Sequence, residues 1–228
     1  MTFRIGLLIF PNITQLDATG PYEVFIKFPD AEVRLIWKSL EPVKAGGGML
    51  LTPDTTFADC PQLDLICVPG GAGMNPLLND DETLEFIRTQ AQGAKYVTSV
   101  CTGSLVLGAA GLLKGKRATS HWMSVEMLEA FGAIPVKDRV VRDGNIITGG
   151  GITAGIDFAL NVAAEELGED AARAIQLGLE YDPQPPFDSG SPDRADASLV
   201  ERTRSAAAPR QCERAAAVEQ AAIKLRAS

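Results

Sequence analysis

The sequence predicts an α/β fold: a mostly parallel β-sheet with helices on both faces. Three observations predict it. Short apolar runs such as Phe3–Phe10 and Leu63–Val68 suit strands buried on both sides. Helix-length segments with amphipathic or all-apolar patterning alternate with those runs. Turns carrying glycine or proline separate the two kinds of segment.

Taken in order, "FRIGLLIF" (3–10) is a first strand closed by Pro-Asn. "TQLDATGPYEVFIKF" (14–28) follows as a helix, with Leu16, Val24, Phe25 and Phe28 on one face and Pro21 suited to a first turn. "EVRLIW" (32–37) is a second strand, and "GGGMLLTPDTTFADC" (46–60) is loop and extended chain. "LDLICVPGGAG" (63–73) is a buried strand ending in a glycine turn, and "DETLEFIRTQAQ" (81–92) is an amphipathic helix. "KYVTSV" (95–100) is the strand that delivers Cys101. "GSLVLGAAGLL" (103–113) is apolar all round, as a buried helix is. "HWMSVEMLEAFG" (121–132) reads as a helix stopped by Gly132. "DRVVRDGNIITGGG" (138–151) reads as a hairpin turning at Asp-Gly-Asn. Two further helices cover 153–168, stopped by Gly168, and 169–181. The composition then changes. "DPQPPFDSGSPD" (182–193) is a linker, and the Ala-rich charged tail reads as two helices broken at Pro209. That tail has too few large apolar residues for a core of its own. It is expected to pack on the domain or on a second subunit. The division is therefore an α/β domain over 1–181 and a linker with helical extension over 182–228.

Composition narrows the function. The chain has 228 residues, a net charge of −8 and a pI near 4.8, which disfavours nucleic-acid binding through a basic face. No apolar run reaches the ~18 residues of a membrane span. The N-terminal apolar stretch ends at Pro11 without a cleavage signature, so a cytoplasmic setting is expected. Cys60, Cys67, Cys101 and Cys212 are scattered, and His121 is the single histidine. This disfavours a disulfide framework or zinc site and excludes a multi-histidine metal centre.

The chemistry concentrates where strands hand over to helices. In open parallel sheets, sites form beyond the carboxyl ends of the strands. The loops around Asp17, Gly70, Cys101 and Gly149 should meet there. Cys101 lies in "TSVCTGSLVLGAAGLL" (98–113), a strand–Cys–Thr–Gly–Ser–helix passage that suits a nucleophile elbow. Amides at the helix start would favour a thiolate, the nucleophilic form. An inert buried cysteine is the alternative, and it is the reading given to Cys67, while Cys60 and Cys212 read as peripheral. The glycines of "PGGAG" (69–73) either bring amides towards developing negative charge or form a tight turn. "TGGGITAG" (148–155) either binds an anion at a helix start or permits close helix–strand packing. Asp17 is a candidate proton shuttle beside the thiol or a helix cap. His121 is a candidate base or a structural residue. Thr102 either caps its helix or offers its hydroxyl to a substrate.

Taken together, "DATGP", "VPGGAG", "TSVCTGSLVLGAAGLL", "RATSHW" and "TGGGITAGIDFAL" resemble the ThiJ/PfpI superfamily, relatives of the class I glutamine amidotransferases. Within it the chain resembles the isocyanide-hydrating enzymes, over nearly its whole length including "LEYDPQPPFDSGSPD". The resemblance implies a flavodoxin-like three-layer sandwich, a homodimer, and a cysteine nucleophile on an elbow. It implies Cys101, Asp17 and Thr102 as the catalytic set, and Gly70, Gly71, Gly150, Ile152 and His121 as the substrate side. The implied substrate is a small isocyanide, converted to an N-substituted formamide through a thioimidate on Cys101, with no cofactor and no metal. The glycines before Ile152 suggest that the helix after them moves. Rival readings within the superfamily are a glyoxalase- or deglycase-like enzyme, for which Glu is usual at position 17, and a cysteine-based redox or ligand sensor.

Overall fold

A computed structural model describes residues 2–227; positions 1 and 228, the outer bounds of the two expected segments, lie outside them. In chain order the first elements are β1 (Phe3–Leu8), α1 (Gln15–Phe25), β2 (Ala31–Trp37), β3 (Val43–Lys44), β4 (Leu50–Leu51), β5 (Thr55–Thr56) and β6 (Leu65–Val68). Next come α2 (Met74–Leu77), α3 (Asp81–Gly93), β7 (Tyr96–Val100), α4 (Gly103–Ala109), β8 (Arg117–Ala118), a 3-10 helix (Val125–Phe131) and β9 (Ile134–Pro135). The chain closes with β10 (Val140–Asp143), β11 (Ile146–Gly149), α5 (Ala154–Leu167), α6 (Glu169–Gly178) and α7 (Ala197–Ala227).

The main sheet has seven strands in the order β10-β11-β7-β6-β1-β2-β5. Every pairing in it is parallel except the β10–β11 hairpin. All residues of β6 and β7 are buried, as expected of strands covered on both faces. Each fully buried Leu or Ile here contributes about 2 kcal/mol by leaving water. Helices α1 and α5 pack against each other, α5 against α6, and α3 and α4 form a second group with α7 outside α4. The α1–α5 contact uses small residues: a Cβ on Gly155 would press on Pro21 Cδ at 3.0 Å. That is the close-packing role considered for the glycine-rich stretch.

Three local expectations are corrected. Pro21 is inside α1, because the helix already starts at Gln15; its ring fills the space that Gly155 leaves. The segment after His121 is a tight turn and then a 3-10 helix, because Ser124 N–H donates to the carbonyl of His121 (2.7 Å) and delays the helix start to Val125. The tail is one helix, α7, not two. Pro209 and the residue four before it, Ser205, are both exposed, so the carbonyl that proline leaves without a donor is open to solvent. Helix α7 packs on α2, α4 and the 3-10 helix of its own chain.

Candidate active site

The strand order changes direction at β1: β2 lies on one side and β6 on the other. The carboxyl ends of β1, β6, β7 and β11 therefore converge, with Asp17 in the first turn of α1, Gly70 and Cys101 in the turns after β6 and β7, and Gly149 at the end of β11. Cys101 adopts φ +56°, the left-handed region that costs a non-glycine residue about 1–3 kcal/mol. Its backbone is held there from both ends. Its N–H donates to the carbonyls of Gly149 (3.1 Å) and Gly150 (2.8 Å). Its carbonyl accepts from Ser104 Oγ (3.3 Å) and Ser120 Oγ (3.0 Å). Gly149 and Gly150 thus present carbonyls, not amides, to the Cys101 N–H.

The glycine turn organises the acid and the threonine. Gly70 N–H donates to Asp17 Oδ2 (2.9 Å), and Gly71 N–H donates to Thr102 Oγ1 (3.2 Å). Both amides are committed internally, so the turn positions side chains instead of offering free donors to an oxyanion. A Cβ on Gly70 would lie 2.6 Å from Thr102 N and Oγ1 and 3.0 Å from Asp17 Oδ2. Only glycine fits. Gly103 is equally constrained, since a Cβ there would lie 1.9 Å from the carbonyl oxygen of Val68. Thr102 does not cap α4 with its side chain. Its oxygen accepts from Gly71, which leaves its hydroxyl hydrogen available to another acceptor.

Asp17 is 0% exposed, and its Oδ1 has no hydrogen-bond partner among the described residues. Burial raises its proton affinity from 3.8 to about 7, against the lowering effects of Gly70 N–H and the Cys101 thiol. Cys101 is 5% exposed. Burial first, and the negative charge of Asp17 second, push its thiol up; the Thr102 amide and the charge of Arg214 oppose them. Burial and the Asp17 charge thus work against the thiolate that the helix start favours. Helix α4 has only seven residues, and a single amide acting on the sulfur does not outweigh desolvation. Near neutrality the pair holds one negative charge between two sites and titrates as a unit.

The other candidates divide. His121 Nδ1 accepts from Met123 N–H (3.3 Å). Burial and the charges of Arg214 and Arg210 keep the ring neutral at neutral pH. The group paired with the thiol is Asp17, not His121. Gly150 meets Cys101 through its carbonyl, whereas Ile152 is 37% exposed and is not enclosed by this chain. Cys67 is fully buried in β6 with its thiol pushed up to about 12, as suits a core cysteine. Two residues escaped the sequence reading. Ser120, in "RATSHW", orients the elbow carbonyl. Arg214, on α7, projects its charge onto both Cys101 and His121.

The chain is similar to known proteins in sequence and fold. The isonitrile hydratase of Pseudomonas putida is 61% identical to this chain over 225 residues, 99% of each protein. The crystal structure of a ThiJ/PfpI family protein from Pseudomonas syringae matches with a TM-score of 0.93 and 43% identity, over 96% of this chain and 91% of its own. DJ-1beta of Drosophila melanogaster shares the fold, with a TM-score of 0.71 and 24% identity over 79% of this chain and 98% of its own. Residues 3–165, from the first strand through most of α5, match the DJ-1/PfpI family, and the chain belongs to that family.

Proposed function

We propose that this chain is an isocyanide hydratase, converting R–N≡C and water to the formamide R–NH–CHO. The observation that carries the proposal is the buried pair of Asp17 and Cys101. A buried carboxyl with proton affinity raised to about 7 is coupled to a thiol that burial also pushes up, as proton transfer between the two near neutral pH requires. The full-length similarity to an isonitrile hydratase supports the same reading. So does access. A cysteine only 5% exposed suits a slim linear group with a terminal carbon better than a carbonyl carbon bearing two substituents.

The steps follow from the two groups. Ionised Asp17 takes the thiol proton as the isocyanide carbon reaches the sulfur. A sulfur electron pair forms the S–C bond, and the proton passes from Asp17 to that same carbon, giving R–N=CH–S–Cys101. Water then adds to the carbon, with one of its protons moving to nitrogen. The C–S bond breaks, the sulfur regains a proton, and R–NH–CHO leaves. Thr102 Oγ, fixed by Gly71, is the neighbouring hydroxyl that can donate to the substrate nitrogen. No cofactor takes part. Gly150, Ile152 and His121 belong to the substrate side in this reading. Movement of α5 would admit substrate past Gly149–Gly151. Its first turn is tied to the residue before β10, Arg139, which pairs with Asp157 and donates to Thr153 Oγ1 (3.1 Å).

The same proposal assigns residues 1–181 to the α/β domain and 182–228 to an extension serving its site. A homodimer is supported by exposed large apolar side chains at Leu177 and Phe187. A cytoplasmic setting is supported by four free cysteines, which reducing compartments maintain. The net charge of −8 argues against a nucleic-acid partner. No described helix is long and apolar enough to cross a membrane. The test is incubation of the purified protein with an alkyl or aryl isocyanide and, separately, with methylglyoxal. Catalysed release of the N-substituted formamide is expected. Lactate from methylglyoxal without any formamide would overturn the assignment in favour of a glyoxalase-like enzyme.

A further inference from the structure

Among the described residues, helix α7 carries one buried cation, Arg214, and packs on α4, the helix that follows Cys101. Arg214 is 8% exposed, on a helix whose other charged residues face outward or lie at its ends. Its Nη1 donates to Ser124 Oγ (2.9 Å) and its Nε donates to Asn75 Oδ1 (3.2 Å). Neither partner is charged. Asn75 lies in α2, four residues after Gly71, and Ser124 lies three residues after His121. The guanidinium therefore bridges the two segments that flank the elbow. A buried cation bonded only to neutral groups is costly unless an anion nearby compensates it. The titratable and charged groups that it senses, or that sense it, are Cys101 at the end of β7, His121 after β8 and Arg210 on its own helix. His121 is neutral and Arg210 repels it. What remains is the single negative charge shared by Cys101 and Asp17, the latter from α1.

We propose that Arg214 is a positioning residue of the hydratase site, clamping the segments on either side of Cys101 and supplying the positive charge that favours the thiolate during attack. The inference rests on the hydratase reading above and names a part of the site outside the family core. The family match ends at residue 165, and DJ-1beta is matched over 98% of its length by 79% of this chain.

The experiment compares wild type, Arg214→Met and Arg214→Lys in two assays. The first is the rate of Cys101 alkylation by iodoacetamide against pH, followed on the Cys101 peptide by mass spectrometry. It requires no isocyanide turnover, so it distinguishes failure of this inference from failure of the hydratase assignment. The second is the pH profile of kcat/KM for formamide production. Arg214→Met should slow alkylation at pH 7 about tenfold and move its midpoint upward by about one pH unit, with kcat/KM falling in parallel. Arg214→Lys should keep the midpoint near that of wild type while lowering kcat a few-fold, because the charge stays and the fork is lost. An alkylation profile unchanged in folded Arg214→Met would overturn the inference. Should Arg214→Met not fold, a midpoint in Arg214→Lys displaced as far as one pH unit would overturn it, and a midpoint held with kcat reduced would support it.

Discussion

Two regions build this site, and they do so differently. The Asp17–Gly70–Cys101–Thr102 cluster is assembled from turns at strand ends, each within a few residues of the strand that aims it. The Arg214 clamp comes from a helix that begins ninety-six residues after Cys101 and reaches the site only by docking on α2, α4 and the 3-10 helix. The first region is rigid by local geometry, because glycines at 70 and 103 admit no other residue. The second depends on packing, and two hydrogen bonds to neutral side chains hold it. Chemistry at the turn cluster should therefore fail sharply on substitution, while changes in α7 should tune it.

The largest effect that separates the two regions is expected at Asp17. Asp17→Asn removes the proton acceptor and should lower kcat/KM by about 100-fold or more. In wild type kcat/KM should rise with pH through an apparent midpoint near 7, set by the coupled pair, and the variant should lose that limb. The same substitution should stabilise the fold. The Asp17 carboxyl binds its proton more tightly folded than unfolded, so between about pH 4 and 7 the folded state holds more protons. Its contribution to stability then falls as pH rises through that window. Asp17→Asn should gain about 2–4 kcal/mol at pH 8 and almost nothing at pH 4, as measured by urea unfolding. A variant less stable than wild type at pH 8 would break the claim that the carboxyl is strained by burial.

Gly70→Ala should come next. Its methyl group would displace Thr102 and Asp17 together, costing about 10–100-fold in kcat/KM and about 1–3 kcal/mol of stability. Equal loss in a glycine substitution with open space around it, such as Gly178→Ala, would show that the turn is not special. Ser120→Ala is a smaller step. It removes one donor from the Cys101 carbonyl and should cost about 1 kcal/mol with a few-fold fall in kcat/KM. Breaking the surface pair Arg173–Glu169 by Arg173→Ala should change neither quantity beyond about 0.5 kcal/mol.

The same contrast explains what was legible in the sequence. Cys101, Asp17 and Gly70 were readable because a strand, a turn residue and a helix are encoded side by side, and the parallel topology aligns their ends. The sheet and most helices followed from periodicity. Thr102 and Gly71 were both readable as site residues, but the bond between them was not, because a hydrogen bond between two loops leaves no local pattern. The forces on the Cys101 thiol were half legible for a related reason. A helix start is visible in sequence, whereas the burial that outweighs it is a property of the packed core. Arg214 left no signal at all, because its neighbours "CERAAAVEQ" look like any solvated helix face. Its burial follows from the docking of α7 on α2, α4 and the 3-10 helix.

The central claim is that Cys101 sulfur bonds to the isocyanide carbon after Asp17 takes its proton. The direct measurement is formamide release by Cys101→Ala, with folding checked by circular dichroism. A fall to the rate of the buffer alone is predicted. Formamide released by that folded variant at a rate near wild type would contradict covalent catalysis at position 101.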